Sequence, residues 1–213
     1  MSDAAKVLLV EGPGDQEVLK HLLSSKGIRV PDDLDVAPRG GFETLRKRLG
    51  ADLDVSGRTH VGVIVDADAD SGNRWRSLRD RLARFVAEPL PEALPSNGLI
   101  TTTRDGVHVG VWVMPDNGAP GAIEDFLLAL MKPEDQWLLR HAEASVEAIP
   151  PEHRRFKSGH DKKAVVHTWL AWQKEPGCPL GLAVTKRYLR PDHDRATPLV
   201  TWVRSLFDLA VPA

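Results

Sequence analysis

Acidic residues follow two apolar runs in this sequence. The run at 6–10 ends at Glu11, which is followed by Gly-Pro-Gly and Asp15. The run at 60–65 leads into the alternating acids Asp66, Asp68 and Asp70 of "VDADAD". Carboxylates about 4 Å apart repel by about 4 kcal/mol at an effective dielectric constant near 20, so a cluster of them needs a positive partner. Either an arginine or a divalent cation would serve, and Mg²⁺ prefers such hard oxygen ligands.

The elements that must position these acids alternate along the first 90 residues. Strands are predicted at 6–10, 34–38 and 60–68, because each is a short apolar run bounded by turn residues. Helices are predicted from Asp15 to Gly27, at 40–53 and at about 72–86, where apolar residues recur on one face. The alternation of strands and helices predicts a parallel sheet with right-handed crossovers.

The predicted sheet explains why the two acidic positions matter. Ligands of open parallel sheets bind beyond the carboxyl ends of the strands, and Glu11 and Asp66 follow two such ends. If the extended conformation continues past Asp66, the period of two places Asp66 and Asp68 on the same side of the chain. We therefore expect Glu11, Asp66 and Asp68 to face one point.

The remainder of the chain changes character. "LITTT" and "VHVGVWVMP" predict two antiparallel strands joined by the Asp105-Gly106 turn. From about residue 121 onward the pattern is helical, and its tryptophans are predicted to pack in the core rather than to stack on bases: Trp137, Trp169, Trp172 and Trp202. The predicted fold class is α/β, with a central, mainly parallel sheet flanked by helices and a helical C-terminal extension.

The acidic motifs resemble those of the TOPRIM domain family, which includes topoisomerases, primases and overcoming-lysogenization-defect nucleases. Glu11-Gly12 with Asp15 is similar to the first motif, and Asp66-Ala67-Asp68 to the second, over about residues 5–90. The stretch "WVMPDNGAPGAIEDFLL" at 112–128 is similar to small stand-alone TOPRIM-like proteins of unknown function. The resemblance implies a TOPRIM-like α/β domain at 1–130 and a helical C-terminal extension at 131–213 packed on it.

The resemblance also implies chemistry. Glu11 would serve as a general acid or base, or as a metal ligand, while Asp66 and Asp68 would hold Mg²⁺, with Mn²⁺ as a substitute. Asp70 is a further expected metal ligand. Other acids that could join the site are Asp15, Asp116, Glu124 and Asp125. A metal held in this way would suit phosphodiester hydrolysis.

Structural roles remain open for several of these acids. Asp15 is well placed to cap the first helix. Asp116 lies in the turn-forming "PDNGAPG". Glu124 and Asp125 would interact favourably with the N-terminal dipole of their helix.

Basic residues suggest a nucleic-acid partner, although the net charge of −2 does not give the strongly basic surface of a protein that coats nucleic acid. Phosphate contacts must then be local, and the expected ones are Arg74, Arg76, Lys162 and Lys163. We expect a Mg²⁺-dependent phosphoryl-transfer protein, favouring a nuclease on DNA or RNA. The alternative is a non-catalytic TOPRIM-like module that binds metal or a partner, such as a separate ATPase.

Composition excludes several other classes. The chain has no GxxxxGK phosphate loop, and the strand at 107–115 lacks the lysine that a phosphoacceptor receiver domain needs. A single cysteine, Cys178, excludes an internal disulfide and a cysteine-rich zinc site. No apolar run approaches the length of a membrane span, and the first residues do not form a secretory signal. We therefore expect a cytoplasmic protein without a membrane partner, and its oligomeric state stays open.

Overall fold

A computed structural model describes residues 3–210 and contains a five-stranded sheet. The strands are β1 (Lys6–Val10), β2 (Leu34–Pro38), β3 (His60–Asp66), β4 (Leu99–Thr102) and β5 (His108–Met114). Their order across the sheet is β2-β1-β3-β5-β4. The first three strands and β5 run parallel, and β4 pairs with β5 in the antiparallel direction. The predicted α/β fold class is thus confirmed.

Eight α-helices surround the sheet in the described part of the chain. The first four are α1 (Pro13–Ser25), α2 (Phe42–Leu53), α3 (Ser71–Leu82) and α4 (Ile123–Ala129). The others are α5 (Gln136–Glu147), α6 (Asp161–Ala171), α7 (Leu180–Thr185) and α8 (Thr197–Phe207). The short α7 was not predicted from the sequence, and α3 ends four residues before the predicted boundary near residue 86.

Strand register places the acidic positions at one edge of the sheet. Val10 pairs with Pro38 at the end of β1, and Asp66 pairs with Met114 at the end of β3. The chain passes from β1 outward to β2 and then returns to β3 on the other side of β1. The strand order therefore reverses between β1 and β3, which is where open α/β sheets form a ligand-binding crevice.

Each face of the sheet is covered by its own set of helices, because alternate strand residues point to opposite faces. Val7 and Leu9 pack with apolar residues of α2 and α3. Leu8 and Val10 pack in a second cluster with residues of α1, α4, α5, α6, α7 and α8. This second cluster joins residues before and after position 130. The predicted division into domains at that position remains a prediction.

Two of the four tryptophans that were predicted to pack in the core lie at the surface instead. Trp169 and Trp202 are buried, but Trp137 and Trp172 are 66% and 41% exposed. Trp137 is stacked on His141, and Trp172 contacts the same ring in a tilted arrangement. The apolar helical pattern that suggested burial is therefore explained by ring contacts at the surface.

Within residues 3–210, no helix combines the length and apolar character needed to cross a membrane.

Glycine allows α8 to approach the sheet closely. A Cβ atom added at Gly110 would lie 2.6 Å from Cδ2 of Leu206 and 2.8 Å from Cζ2 of Trp202. Both neighbours are buried, so they have little room to move aside. We expect Gly110→Ala to lower the free energy of unfolding by about 1 to 3 kcal/mol, measured by urea denaturation.

Gly14→Ala is the matched control for Gly110→Ala. Its added Cβ would have no neighbour within 4 Å, so stability should not fall. Equal losses for the two variants would contradict the close packing of α8 on the sheet.

Candidate functional site

Glu11 spans the crevice between β1 and β3. Its Oε1 accepts a hydrogen bond from the backbone N–H of Asp66 at 3.0 Å. Its Oε2 accepts one from the backbone N–H of Phe42, the first residue of α2, also at 3.0 Å. Burial raises the pKa of Glu11, and this outweighs the lowering by the Asp66 amide and the Arg74 guanidinium. Glu11 thus ties β1 to β3 and α2, and is poised to hold a proton more readily than an exposed glutamate.

Asp66 is the most strongly perturbed acid of the site. Its Oδ1 accepts a hydrogen bond from the backbone N–H of Ile123, the first residue of α4, at 2.9 Å. Burial, followed by repulsion from Glu11, Asp15 and Glu124, raises the pKa of Asp66 to about 8. Four carboxyl groups, from the ends of β1 and β3 and the starts of α1 and α4, therefore share one electrostatic environment.

Asp15 and Glu124 complete this group, which we call the acidic cluster: Glu11, Asp15, Asp66 and Glu124. Asp15 accepts a hydrogen bond from the N–H of Gly12 at 2.7 Å, so it also has the predicted role at the start of α1. Its pKa is raised, first by burial and further by Glu124. Glu124 is 8% exposed, and its Oε1 lies 3.9 Å from Nζ of Lys163.

Asp68 departs from the expected geometry. The strand ends at Asp66, and Asp68 has a φ of 51° rather than an extended conformation. This turn lets Asp68 exchange backbone hydrogen bonds with Gly121, at 2.9 and 2.8 Å. The expectation that Asp66 and Asp68 follow one period-two pattern is therefore wrong.

Arg74 is the cation that contacts Asp68. The two form an ion pair, and the Arg74 guanidinium lies 3.8 Å from the centroid of the Phe42 ring. The Asp68 side chain is 69% exposed. An arginine of α3 thus compensates Asp68 directly, although the Asp68 carboxylate still contributes to the raised pKa of Glu11.

The remaining predicted acids are engaged in local structure. Asp70 caps α3 by accepting the N–H of Asn73 at 3.0 Å. Asp116 accepts the N–H groups of Gly118 and Ala119 in a turn, at 3.1 and 2.8 Å. Asp125 accepts the N–H of Ala122 at the start of α4 at 2.9 Å. Of these three, Asp125 also lines the cleft in front of Asp66.

An open cleft of about 740 Å³ lies in front of Asp66. Its lining includes Asp66, Asp68, Glu124 and Asp125 and, from the segment at 158–163, Lys162 and Lys163. Both predicted lysines therefore line the same cleft as the acids. Arg76 instead donates to the Asn73 side chain on exposed α3 and does not line this cleft. His160 also lines the cleft but was not predicted as a site residue. Its position within the basic stretch "KSGHDKK" is the sequence feature that could have indicated it.

The acidic cluster offers carboxylate oxygens as possible metal ligands. Among residues 3–210, no group of three or more His, Cys, Asp or Glu side chains is arranged to hold a metal ion. The clustered oxygens nevertheless suit Mg²⁺, which usually keeps several waters and binds through one or two carboxylates together with substrate phosphates. Burial is the largest cause of the raised pKa of Asp66 and repulsion from three carboxyl groups adds to it, so a cation bound beside Asp66 would favour its charged form.

The raised pKa of Asp66 makes stability depend on pH. Between the ordinary value of 3.8 and about 8, Asp66 keeps its proton when folded and loses it when unfolded. The free energy of unfolding should fall as pH rises through this window, by at most about 1.4 kcal/mol per pH unit from this group. Asp66→Asn should flatten the decline, as measured by urea denaturation at pH 5 to 8 in EDTA.

Asp80→Asn, which alters an exposed carboxyl of α3, is the control for this pH series. It should retain the pH dependence of the wild type. Parallel pH profiles for the wild type and Asp66→Asn would contradict the raised pKa.

Comparisons with known proteins identify the family of this chain. Neither the curated proteins nor the solved structures yielded a match. One family model, described as "Protein of unknown function (DUF3226)", matches residues 5–208. This range includes every residue that lines the cleft and all eight helices. The chain therefore belongs to the DUF3226 family.

Proposed function

We propose that this protein is a Mg²⁺-dependent phosphoryl-transfer enzyme that hydrolyses phosphodiester bonds in DNA or RNA, with a TOPRIM-like acidic site. The observation that carries the proposal is the raised pKa of Asp66, caused by burial and by three neighbouring carboxyl groups. Buried carboxyl groups with perturbed pKa values, at the point where the strand order of an open α/β sheet reverses, support a functional site.

Repulsion within the acidic cluster supports a cation as ligand. Backbone N–H groups compensate Glu11, Asp15 and Asp66 in part, but the pKa values of all three stay raised. Lys163 contacts Glu124 at 3.9 Å and is itself 56% exposed, so this contact is weakened by solvent. A divalent cation among the carboxylates would favour their charged forms.

Different residues of the cleft are proposed to bind the metal and the phosphate. Asp66 engages Oδ1 with the Ile123 amide, so Oδ2 is the proposed metal ligand, together with Glu124 or Glu11. A Mg²⁺ ion bound there would polarise a phosphoryl oxygen and activate water. Lys162 and Lys163, which line the same cleft, would neutralise the phosphate and hold it in place.

Glu11 is the proposed general acid or base. Its raised pKa brings it closer to neutral pH, where proton transfer is most effective. Its two backbone hydrogen bonds hold the carboxyl group in one orientation, which such a role requires. Mn²⁺ is the proposed substitute for Mg²⁺, because it prefers the same oxygen ligands.

A non-catalytic module that binds metal or a partner, such as a separate ATPase, is the second candidate. Two observations favour it. Both oxygens of Glu11 are engaged by backbone amides, as expected for a structural acceptor. Asp68, a proposed metal ligand by resemblance, is paired with Arg74 instead. In this case the acidic cluster would bind a cation without turning over a phosphodiester.

A nuclease assay separates the two candidates. Single-stranded and duplex DNA and RNA are incubated with Mg²⁺ or Mn²⁺ and the wild type, Glu11→Gln or Asp66→Asn. Cleavage should require the metal and fall by about 100-fold or more in each variant, since each loses a group that acts on the reacting phosphate. Asp80→Asn, the same chemical change on exposed α3, should cleave like the wild type.

Calorimetric titration with Mn²⁺ completes the assay. Metal binding that is lost in Asp66→Asn, without cleavage by the wild type, would select the non-catalytic module. Metal-dependent cleavage that survives in both Glu11→Gln and Asp66→Asn would contradict the site itself.

A further inference from the structure

Three aromatic rings contact one another in a row at the surface of α5 and α6, and we call them the aromatic stack: Trp137, His141 and Trp172. The centroids of Trp137 and His141 are 5.3 Å apart with an interplanar angle of 13°. His141 and Trp172 are 5.2 Å apart at 34°. Trp137 is 66% exposed although one of its faces contacts His141, so its other face is open to solvent.

This aromatic stack differs from the other tryptophans of the chain. Trp75, Trp112, Trp169 and Trp202 are at most 2% exposed. Burying an aromatic ring is strongly favourable, so two indoles held at the surface leave a large apolar area in water. An unpaired nucleic-acid base is a flat aromatic ring, so stacking on an exposed indole would remove this apolar area from water. Such stacking does not depend on the base sequence.

Helix α6 connects the aromatic stack to the cleft of the acidic cluster. His160, Lys162 and Lys163 line the cleft at the start of α6, and Trp172 follows its last residue. Eleven residues of helix separate these ends by roughly 16 Å. α5 packs against α6, which brings Trp137 and His141 to the Trp172 end.

The charge along α6 suits a phosphate chain. The sequence from 162 to 174 contains no Asp or Glu, and it carries Lys162, Lys163 and Lys174 on exposed positions. The flanking Asp161 lies 3.5 Å from Arg154, which compensates it. Basic groups that follow the backbone, ending at exposed aromatic rings, are the two features by which proteins bind single-stranded nucleic acid.

We propose that the substrate is single-stranded nucleic acid, whose phosphates follow α6 from the cleft and whose unpaired base stacks on Trp137 or Trp172. The inference rests on the proposed function for the choice of nucleic acid, and it adds the strandedness. A duplex keeps its bases stacked inside the helix, so they are not free to stack on the protein.

Binding is measured by fluorescence anisotropy in EDTA, which removes cleavage. The probes are oligothymidylate and oligouridylate of about 12 nucleotides, within the roughly 4 to 16 nucleotides that one single-strand site occupies, and a duplex of equal length. The wild type should prefer the single strands. The double variant Trp137→Ala/Trp172→Ala should bind them about 10-fold or more weakly, without a change for the duplex.

Two variants control for effects other than stacking. Trp172→Phe retains a ring and should bind nearly as the wild type does. Ile100→Ala removes another exposed apolar side chain, on β4, and should leave binding unchanged. Wild type that fails to bind single strands, or a double variant that binds them normally or loses duplex binding equally, would overturn the inference.

A small diester separates this inference from the proposed function. Bis(p-nitrophenyl) phosphate is too short to reach the aromatic stack from the cleft. If hydrolysis of this diester depends on Asp66 but the double variant binds single strands normally, base stacking is refuted and the proposed enzyme activity stands. If single-strand binding depends on the two tryptophans but no hydrolysis depends on Asp66, the proposed enzyme activity is refuted and the binding site stands.

Discussion

The repulsion among four carboxyl groups at the carboxyl ends of β1 and β3 is the interaction on which the rest of this structure depends. Asp66 shows it most directly, because burial and three acidic neighbours raise its pKa to about 8. Such an arrangement opposes folding unless protons, amides or cations compensate it. Backbone amides of the fold provide part of this compensation, and the raised pKa values of Glu11, Asp15 and Asp66 show that these groups hold protons more readily than exposed carboxyl groups do.

Helix starts provide much of the compensation from the protein itself. The first residues of α2 and α4 donate their N–H groups to Glu11 and Asp66, and Gly12 before α1 donates to Asp15. These N–H groups lack partners within their own helices, and the helix dipole places positive potential there. Because β1, β2, β3 and β5 run parallel, the helices that follow β1, β2 and β5 begin at the edge of the sheet where Glu11 and Asp66 lie.

Local patterns in the sequence predicted the elements well. The bounds of β1 and β2 follow from short apolar runs, which depend on near neighbours alone. The same patterns placed Glu11 and Asp66 at strand ends. These patterns did not distinguish Glu124, which joins the acidic cluster, from Asp116, which accepts hydrogen bonds within its own turn. The difference between the two depends on how α4 packs against β3.

Long-range contacts also account for the errors. Asp68 leaves the extended conformation to pair its backbone with Gly121, 53 residues away along the chain. Trp137 and Trp172 occupy apolar positions of helical patterns, yet they meet His141 at the surface rather than the core. Periodicity reports which residues share a helix face, but the neighbour of that face is set by tertiary packing.

The most direct measurement of the central claim is the pKa of the Asp66 carboxyl group, followed by carbon NMR during a pH titration without metal and again with Mg²⁺. The account predicts a pKa near 8 without metal, as its buried acidic surroundings require, and a large decrease when Mg²⁺ is added. A pKa near the ordinary value of 3.8 without metal, unchanged by Mg²⁺, would contradict it.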